Sequence, residues 1–236
     1  MKNYLYFISA LFLFISFSSC GNKTIGGNGK VIIKVREVTG FKSISVKGAF
    51  DVVLKNGSKG SLSVEADENL ISNIISNVND SNLEIHNVKT VIRSKELKLI
   101  ICCPDLKSID FSGATELSCD SGVHYNNLSI NISGAGRVDM ELQTNDLNAI
   151  VSGGAELIFR GKSNSFDVSI TGAGNIDAQK FEVQDCSIDI SGFGRAKVNA
   201  IKNLEVNISG AGKVEYTGNP EVKQSITGAG KIYKRI

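Results

Sequence analysis

The chain has no tryptophan and only 2 prolines, 2 methionines and 2 histidines among 236 residues. The two histidines, His86 and His124, stand far apart in irregular surroundings, which argues against a histidine metal centre. No G-x-S-x-G elbow is present, nor a glycine-rich loop ending in Lys followed by Ser or Thr. Both the exposed nucleophile of the hydrolases and the phosphate cradle of the nucleotide binders are therefore missing. A calcium-binding β-roll needs a nine-residue repeat with a second adjacent glycine, and Gly-Ala-Gly-Asn-Ile-Asp at 172–177 has neither. No cofactor is implied. A long hydrophobic span is lacking too. Residues 4–18 are uncharged and mostly apolar, shorter than the roughly 20 residues of a membrane-spanning helix. What the chain has in quantity is glycine, 24 residues, with many Ile, Val, Ser and Asn. This composition favours β structure with many tight turns.

The N-terminus reads as an export signal. Lys2 supplies the positive charge, residues 4–18 the apolar core, and Phe17-Ser18-Ser19-Cys20 a lipobox-like end in which Phe17 replaces the usual Leu. Cys20 is the expected acylation site, and two or three acyl chains hold a protein firmly at a bilayer. Removal of residues 1–19 leaves 217 residues with 25 basic and 24 acidic side chains. Such a balance gives no electrostatic reason to expect nucleic acid. Gly21-Asn22 after the cysteine, with no Asp directly behind it, is expected to direct the chain to the outer membrane, facing either side. Residues 20–30, rich in Gly and Asn, read as a flexible tether.

One motif then dominates. Ser-Gly-Ala-Thr-Glu-Leu at 112–117 returns as Ser-Gly-Ala-Gly-Arg-Val at 133–138, Ser-Gly-Gly-Ala-Glu-Leu at 152–157 and Thr-Gly-Ala-Gly-Asn-Ile at 171–176. Three more copies begin at Ser191, Ser209 and Thr227. The first glycines are Gly113, Gly134, Gly153, Gly172, Gly192, Gly210 and Gly228, separated by 21, 19, 19, 20, 18 and 18 residues. Apolar residues stand two before, four before and four after the glycines, with Gln224 in the last copy the exception, and polar residues mostly between them. That alternation marks strands with one buried face on either side of a turn. The Ser or Thr before every glycine predicts a stacked hydroxyl row at the corner.

A repeat of about 20 residues with two or three short strands is one coil of a solenoid, each stacked on the last at about 4.8 Å. Seven coils make a rod on the order of 30 Å long. Propeller blades repeat at about twice this period, and a sandwich would not reproduce one turn sequence seven times. The fold class is therefore all-β, a parallel β-solenoid of seven glycine-turn repeats over residues 105–236. Residues 31–104 read as a divergent, β-helix-like N-terminal part. Residues 44–54 form a first irregular coil, strands are predicted at 61–66, 82–87 and 95–103, and the three- and four-residue apolar spacing of 69–78 predicts a short helix.

The outward positions alternate in charge. Three after each glycine come Glu116, Arg137, Glu156, Asn175, Arg195, Lys213 and Lys231, and five after come Asp139, Asp177, Lys197 and Glu215. Such a row is what a solvated face needs. The alternative is a binding face built on Arg137, Asp139, Glu156 and Asp177. Phe193 stands where other copies carry Ala or Gly, and either fills a gap or projects as a contact point. Cys119 and Cys186 fall on core rows as small apolar residues, while a bridge between Cys103 and Cys119 is left open.

The Ser-Gly-Ala-Gly repeats, the Val-Lys-Gly-Ala-Phe-Asp-Val segment at 46–52 and the lipobox together resemble the head GIN domain family, auto-transporter adhesins of Bacteroidota. The resemblance covers roughly residues 31–236. It implies a right-handed, single-stranded β-helix whose glycine motifs turn between sheets, without the catalytic residues of pectin lyases, and it implies an adhesive role. Two functions are carried forward: a non-enzymatic adhesin presenting its faces to a glycan, a protein or a neighbouring copy, and a carbohydrate-active enzyme on a β-helix. Coils of 18–21 residues leave little room for the loop insertions a catalytic groove needs, which favours the first. The final coil is the expected surface for a homo-oligomer.

Overall fold

The computed structural model describes residues 23–120 and 122–235. The signal segment 1–19 and the acylation site Cys20 lie outside the described residues. About 75% of the chain is strand, wound into a β-solenoid of about 6 turns of ~20 residues. Seven glycine turns bound six full coils, which accounts for the number.

The coils stack in register. Ser108–Cys119 runs parallel to the first part of Asn127–Gly172, pairing Ile109 with Ile130, Phe111 with Ile132 and Gly113 with Gly134. Further on, Val168 lies against Ile188 and Gly172 against Gly192, then Val206 against Gln224 and Gly210 against Gly228. Stretches as long as Asn127–Gly172, 46 residues, are paired without a break because the corner residues also bond to the coil before. Inside, like stacks on like. Ile109, Ile130, Ala149, Val168, Ile188 and Val206 are all buried, as are Leu117, Val138, Leu157, Ile176, Ala196 and Val214. Phe159, Phe166 and Phe181 fill the middle, two of their pairs edge-to-face at 5.6 and 5.5 Å between centroids. Such pairs contribute about 0.5–1.5 kcal/mol each beyond the area they bury.

The glycine of each turn is required twice over. At Gly192 φ is 124°, and an added Cβ would lie 2.6 Å from the backbone oxygen of Gly172 in the coil before. The corner is thus left-handed in conformation and too close to its neighbour for any side chain. The second glycine of the motif faces inward: a Cβ on Gly194 would sit 2.7 Å from Ile170 Cγ2. The Ser and Thr residues before the glycines stack as a row, Thr171 on Ser191 on Ser209 on Thr227.

The N-terminal part begins on the same path and leaves it. Ser43–Gly48 pairs in parallel with Ser108–Gly113, placing Gly48 in the glycine row, and Asp51–Lys55 pairs with 116–119. A further layer is still parallel, Asn82–Asn87 lying on Ser43–Gly48 and Leu97–Cys102 on Asp51–Lys55, and beyond it the strands turn antiparallel. Val31–Arg36, Ser61–Asp67 and Leu97–Cys102 pair in sequence, and Ile74–Asn79 forms a hairpin with Asn82–Asn87. Residues 31–104 therefore combine two parallel layers that continue the stack with antiparallel strands that cover its first edge, the device a stacked array needs at its end.

The helix expected over 69–78 is replaced by a single 3-10 turn, Glu68–Leu70, and the strand Ile74–Asn79. Half-buried Arg36 is the reason. Its guanidinium donates to the Ile71 and Ile74 carbonyls at 2.9 and 2.7 Å and to Ser76 Oγ at 2.8 Å. These carbonyls would be used internally by a helix. The expected tether is also partly ordered, since Thr24–Gly26 pairs in parallel with Thr90–Arg93. At the other end the core thins out. Glu221–Gly228 is exposed along most of its length, including Gln224 and Ile226, which continue the core rows.

Candidate binding face

Two outward rows run up the sheet that follows the glycine corner. The first holds Asp51, Glu116, Arg137, Glu156, Asn175, Arg195, Lys213 and Lys231, and the second Ser118, Asp139, Ile158, Asp177, Lys197, Glu215 and Tyr233. Because side chains alternate across a strand, every residue here points to solvent while its neighbours fill the core.

Three of the residues singled out from sequence meet in the middle of this face. Arg137 pairs with Glu156 and lies 4.0 Å from Asp139, and Arg160 from the next coil pairs with Asp139. Arg160 is a partner that the repeat does not signal, since it belongs to no row of equivalent residues. Asp177 is not part of this group. Its Oδ1 accepts from the Gln179 backbone N–H at 3.3 Å. Partly exposed pairs of this kind contribute about 0–1 kcal/mol each. Their chemical consequence is larger: both carboxylates are occupied by guanidinium, so neither is a free base.

The upper coils differ. Glu215 is tied to the Tyr233 hydroxyl, which donates at 2.8 Å, to Arg235 at 3.3 Å and to Gln179 at 3.2 Å. The Tyr233 bond, then Arg235 and Lys197, hold its carboxyl below the usual carboxylate range. Lys213 Nζ sits 4.9 Å from the Tyr233 ring centroid. Phe193 projects from the turn row with 74% exposure, between the stacked Ala173 and Ala211 of the adjoining coils. The gap-filling alternative for Phe193 is thereby removed.

A second corner recurs along the coils. Thr144 Oγ1 lies 2.7 Å from the Asn126 carbonyl, and Ser163 Oγ 2.9 Å from that of Asn145. Asn164 Nδ2 donates to Asn145 Oδ1 at 3.2 Å, in a polar hollow of about 300 Å³ that also includes His124. Thr144-Asn145 and Ser163-Asn164 recur at a spacing of 19, the signal that could have revealed it. A larger, open hollow of about 800 Å³ lies at the N-terminal end, lined by charges of both signs from Lys23, Asp51, Arg93 and Glu116.

The cysteines are structural. All four described thiols are free. Cys103 Sγ faces the Phe41 carbonyl at 3.4 Å and Cys119 Sγ the Glu141 carbonyl at 3.7 Å, so no bridge joins them. Burial pushes the Cys103 thiol up to about 11 and that of Cys186 further in the same direction. Neither is a thiolate at neutral pH. Among the described residues no group of three or more His, Cys, Asp and Glu is placed to hold a metal ion.

A family model described as "Putative auto-transporter adhesin, head GIN domain" matches residues 40–220. No curated protein matches. Among solved structures, a "putative adhesin" from Bacteroides fragilis is 25% identical with a TM-score of 0.82, over 89% of this chain and 100% of that one. A "putative lipid binding protein" from Parabacteroides distasonis is 22% identical with a TM-score of 0.74, over 91% and 100%. A "putative adhesin" from Parabacteroides merdae is 23% identical with a TM-score of 0.65, over 91% and 100%. The last two likenesses carry the fold alone.

Proposed function

The chain belongs to the head GIN domain family, and from that premise we propose that it is a non-enzymatic, adhesin-like binding module of the cell envelope, tethered by acyl chains on Cys20 to the outer membrane. The observation that carries this reading is the regularity of the coils. Their lengths hold at 18–21 residues, so no inserted loops wall off a groove, and the ligand-facing surface is the outward rows themselves. The Arg137–Glu156 and Arg160–Asp139 pairs add to it, because a lyase needs a base free to take a proton. The antiparallel closure lies at the end nearest Cys20 in the chain, so the coils extend away from the anchor.

The test is a comparison of cells producing the natural chain and the Cys20→Ser variant, with a clickable palmitate supplied in the medium. The natural chain is expected to take up the label and sediment with membranes, and the variant to do neither. Equal labelling or equal sedimentation of the two would remove the anchor from the account.

A further inference from the structure

Charge is distributed unevenly along the rod. Between residues 105 and 194 there are 13 acidic and 5 basic side chains, whereas residues 195–235 carry 8 basic and 3 acidic. Across the same boundary the first outward row changes character. Below it, Arg137 is neutralised by Glu156. Above it, Arg195, Lys213 and Lys231 stack directly on one another in register, and among the described residues none of the three has an acidic partner within salt-bridge distance. The one carboxylate on this part of the face, Glu215, is occupied by Tyr233, Arg235 and Gln179.

Like charges directly opposite on neighbouring strands cost stability. A fold that only needed solubility would alternate them, as the row does from Glu116 through Arg137 to Glu156. The cationic stack is flanked by two aromatic rings, exposed Phe193 at the corner and Tyr233 in the adjoining row, with Lys213 held over the latter. From this juxtaposition we infer that the last three coils form a binding site for an acidic polysaccharide, with Arg195, Lys213 and Lys231 each taking a carboxylate or sulfate and Phe193 and Tyr233 packing against sugar rings. The inference rests on the adhesin reading and names its ligand class.

The geometry favours a linear glycan over other polyanions. Cations repeat at the strand spacing of about 4.8 Å, comparable with the length of one sugar ring and its linkage, so successive acidic sugars fall in step with successive coils. Five coils separate the Gly113 corner from the Gly210 corner, so the site stands on the order of 24 Å along the axis from the start of the regular coils. That places it away from the bilayer to which the other end is tied, and an anionic lipid surface is the less fitting partner.

The experiment is affinity electrophoresis of the mature chain through gels containing polygalacturonate, a sulfated glycan or neutral dextran, with co-sedimentation on phosphatidylglycerol vesicles alongside. The natural chain is expected to be retarded by the acidic glycans, less so as salt rises, and not by dextran or vesicles. Arg195→Ser/Lys213→Ser/Lys231→Ser should weaken retardation about tenfold or more, as loss of several charge-assisted contacts requires. Its Tm should be unchanged or higher, because repulsion is relieved and Asn175 already occupies the same row. Phe193→Ala should weaken binding severalfold, and Lys34→Ser/Lys59→Ser/Lys162→Ser should leave it unchanged. Absence of retardation, equal retardation of both triple variants, or binding to vesicles in place of glycans would overturn the inference. Attachment of cells that survives in the Arg195/Lys213/Lys231 variant would sink this site and leave the adhesin reading standing.

Discussion

A methyl group added at Gly192 and one added at Gly154 meet opposite surroundings. The first enters a left-handed backbone position and faces a carbonyl 2.6 Å away, whereas the second has nothing within 4 Å. Left-handed backbone costs an L-residue about 1–2 kcal/mol, and the contact cannot relax without parting two coils. Gly192→Ala is therefore expected to lose about 2–4 kcal/mol and Gly154→Ala less than about 0.5 kcal/mol, read as shifts in urea midpoint. Equal losses would mean that the glycine row is not what fixes the corner. At this scale the sequence was informative because repetition exposes constraint: a position held as glycine in seven copies is distinguishable from one that varies. Arg36, Arg160 and Phe193 were harder. Each occurs once, so no ladder of equivalents says what it faces.

Among the elements, the regular coils were legible and the closure was not. Seven aligned copies fix both register and burial, and the strands expected at 61–66, 82–87 and 95–103 correspond to Ser61–Asp67, Asn82–Asn87 and Leu97–Cys102. Pairing direction in the N-terminal part was invisible, since alternation of apolar residues is the same for parallel and antiparallel strands. Residues 69–78 show why a helical spacing misled. Leu70 and Ile74 are buried at a four-residue interval, but a tight turn followed by a strand presents them to the core equally well. The hairpin that follows turns on Asp80 and Ser81, with φ of 48° and 63°, the geometry of a type I′ turn. Glycine is preferred at the second of these positions, so Ser81→Gly should raise stability by about 0.5 kcal/mol. A lower thermal midpoint for that variant would contradict the turn assignment.

At the scale of the whole molecule the described residues form a rod closed at one end by antiparallel strands, with its last coil exposed, acidic through its middle coils and basic in its last. The repeat period gave away the rod. The charge distribution was equally present in the sequence, but it becomes a surface only when the coils are stacked and Arg195, Lys213 and Lys231 are seen to coincide. Thr24–Gly26 pairs with Thr90–Arg93 at the closed end, so the proposed acylation of Cys20 would hold that end near the bilayer and present the last coils beyond it. The claim on which adhesion depends is that these last coils face outward from the cell. Protease treatment of intact cells, followed by detection of the mature chain, measures that directly. The account predicts that whole cells lose the protein while a periplasmic control survives. A chain that persists until the envelope is opened would contradict it, and would make the rod a binding protein of the envelope interior.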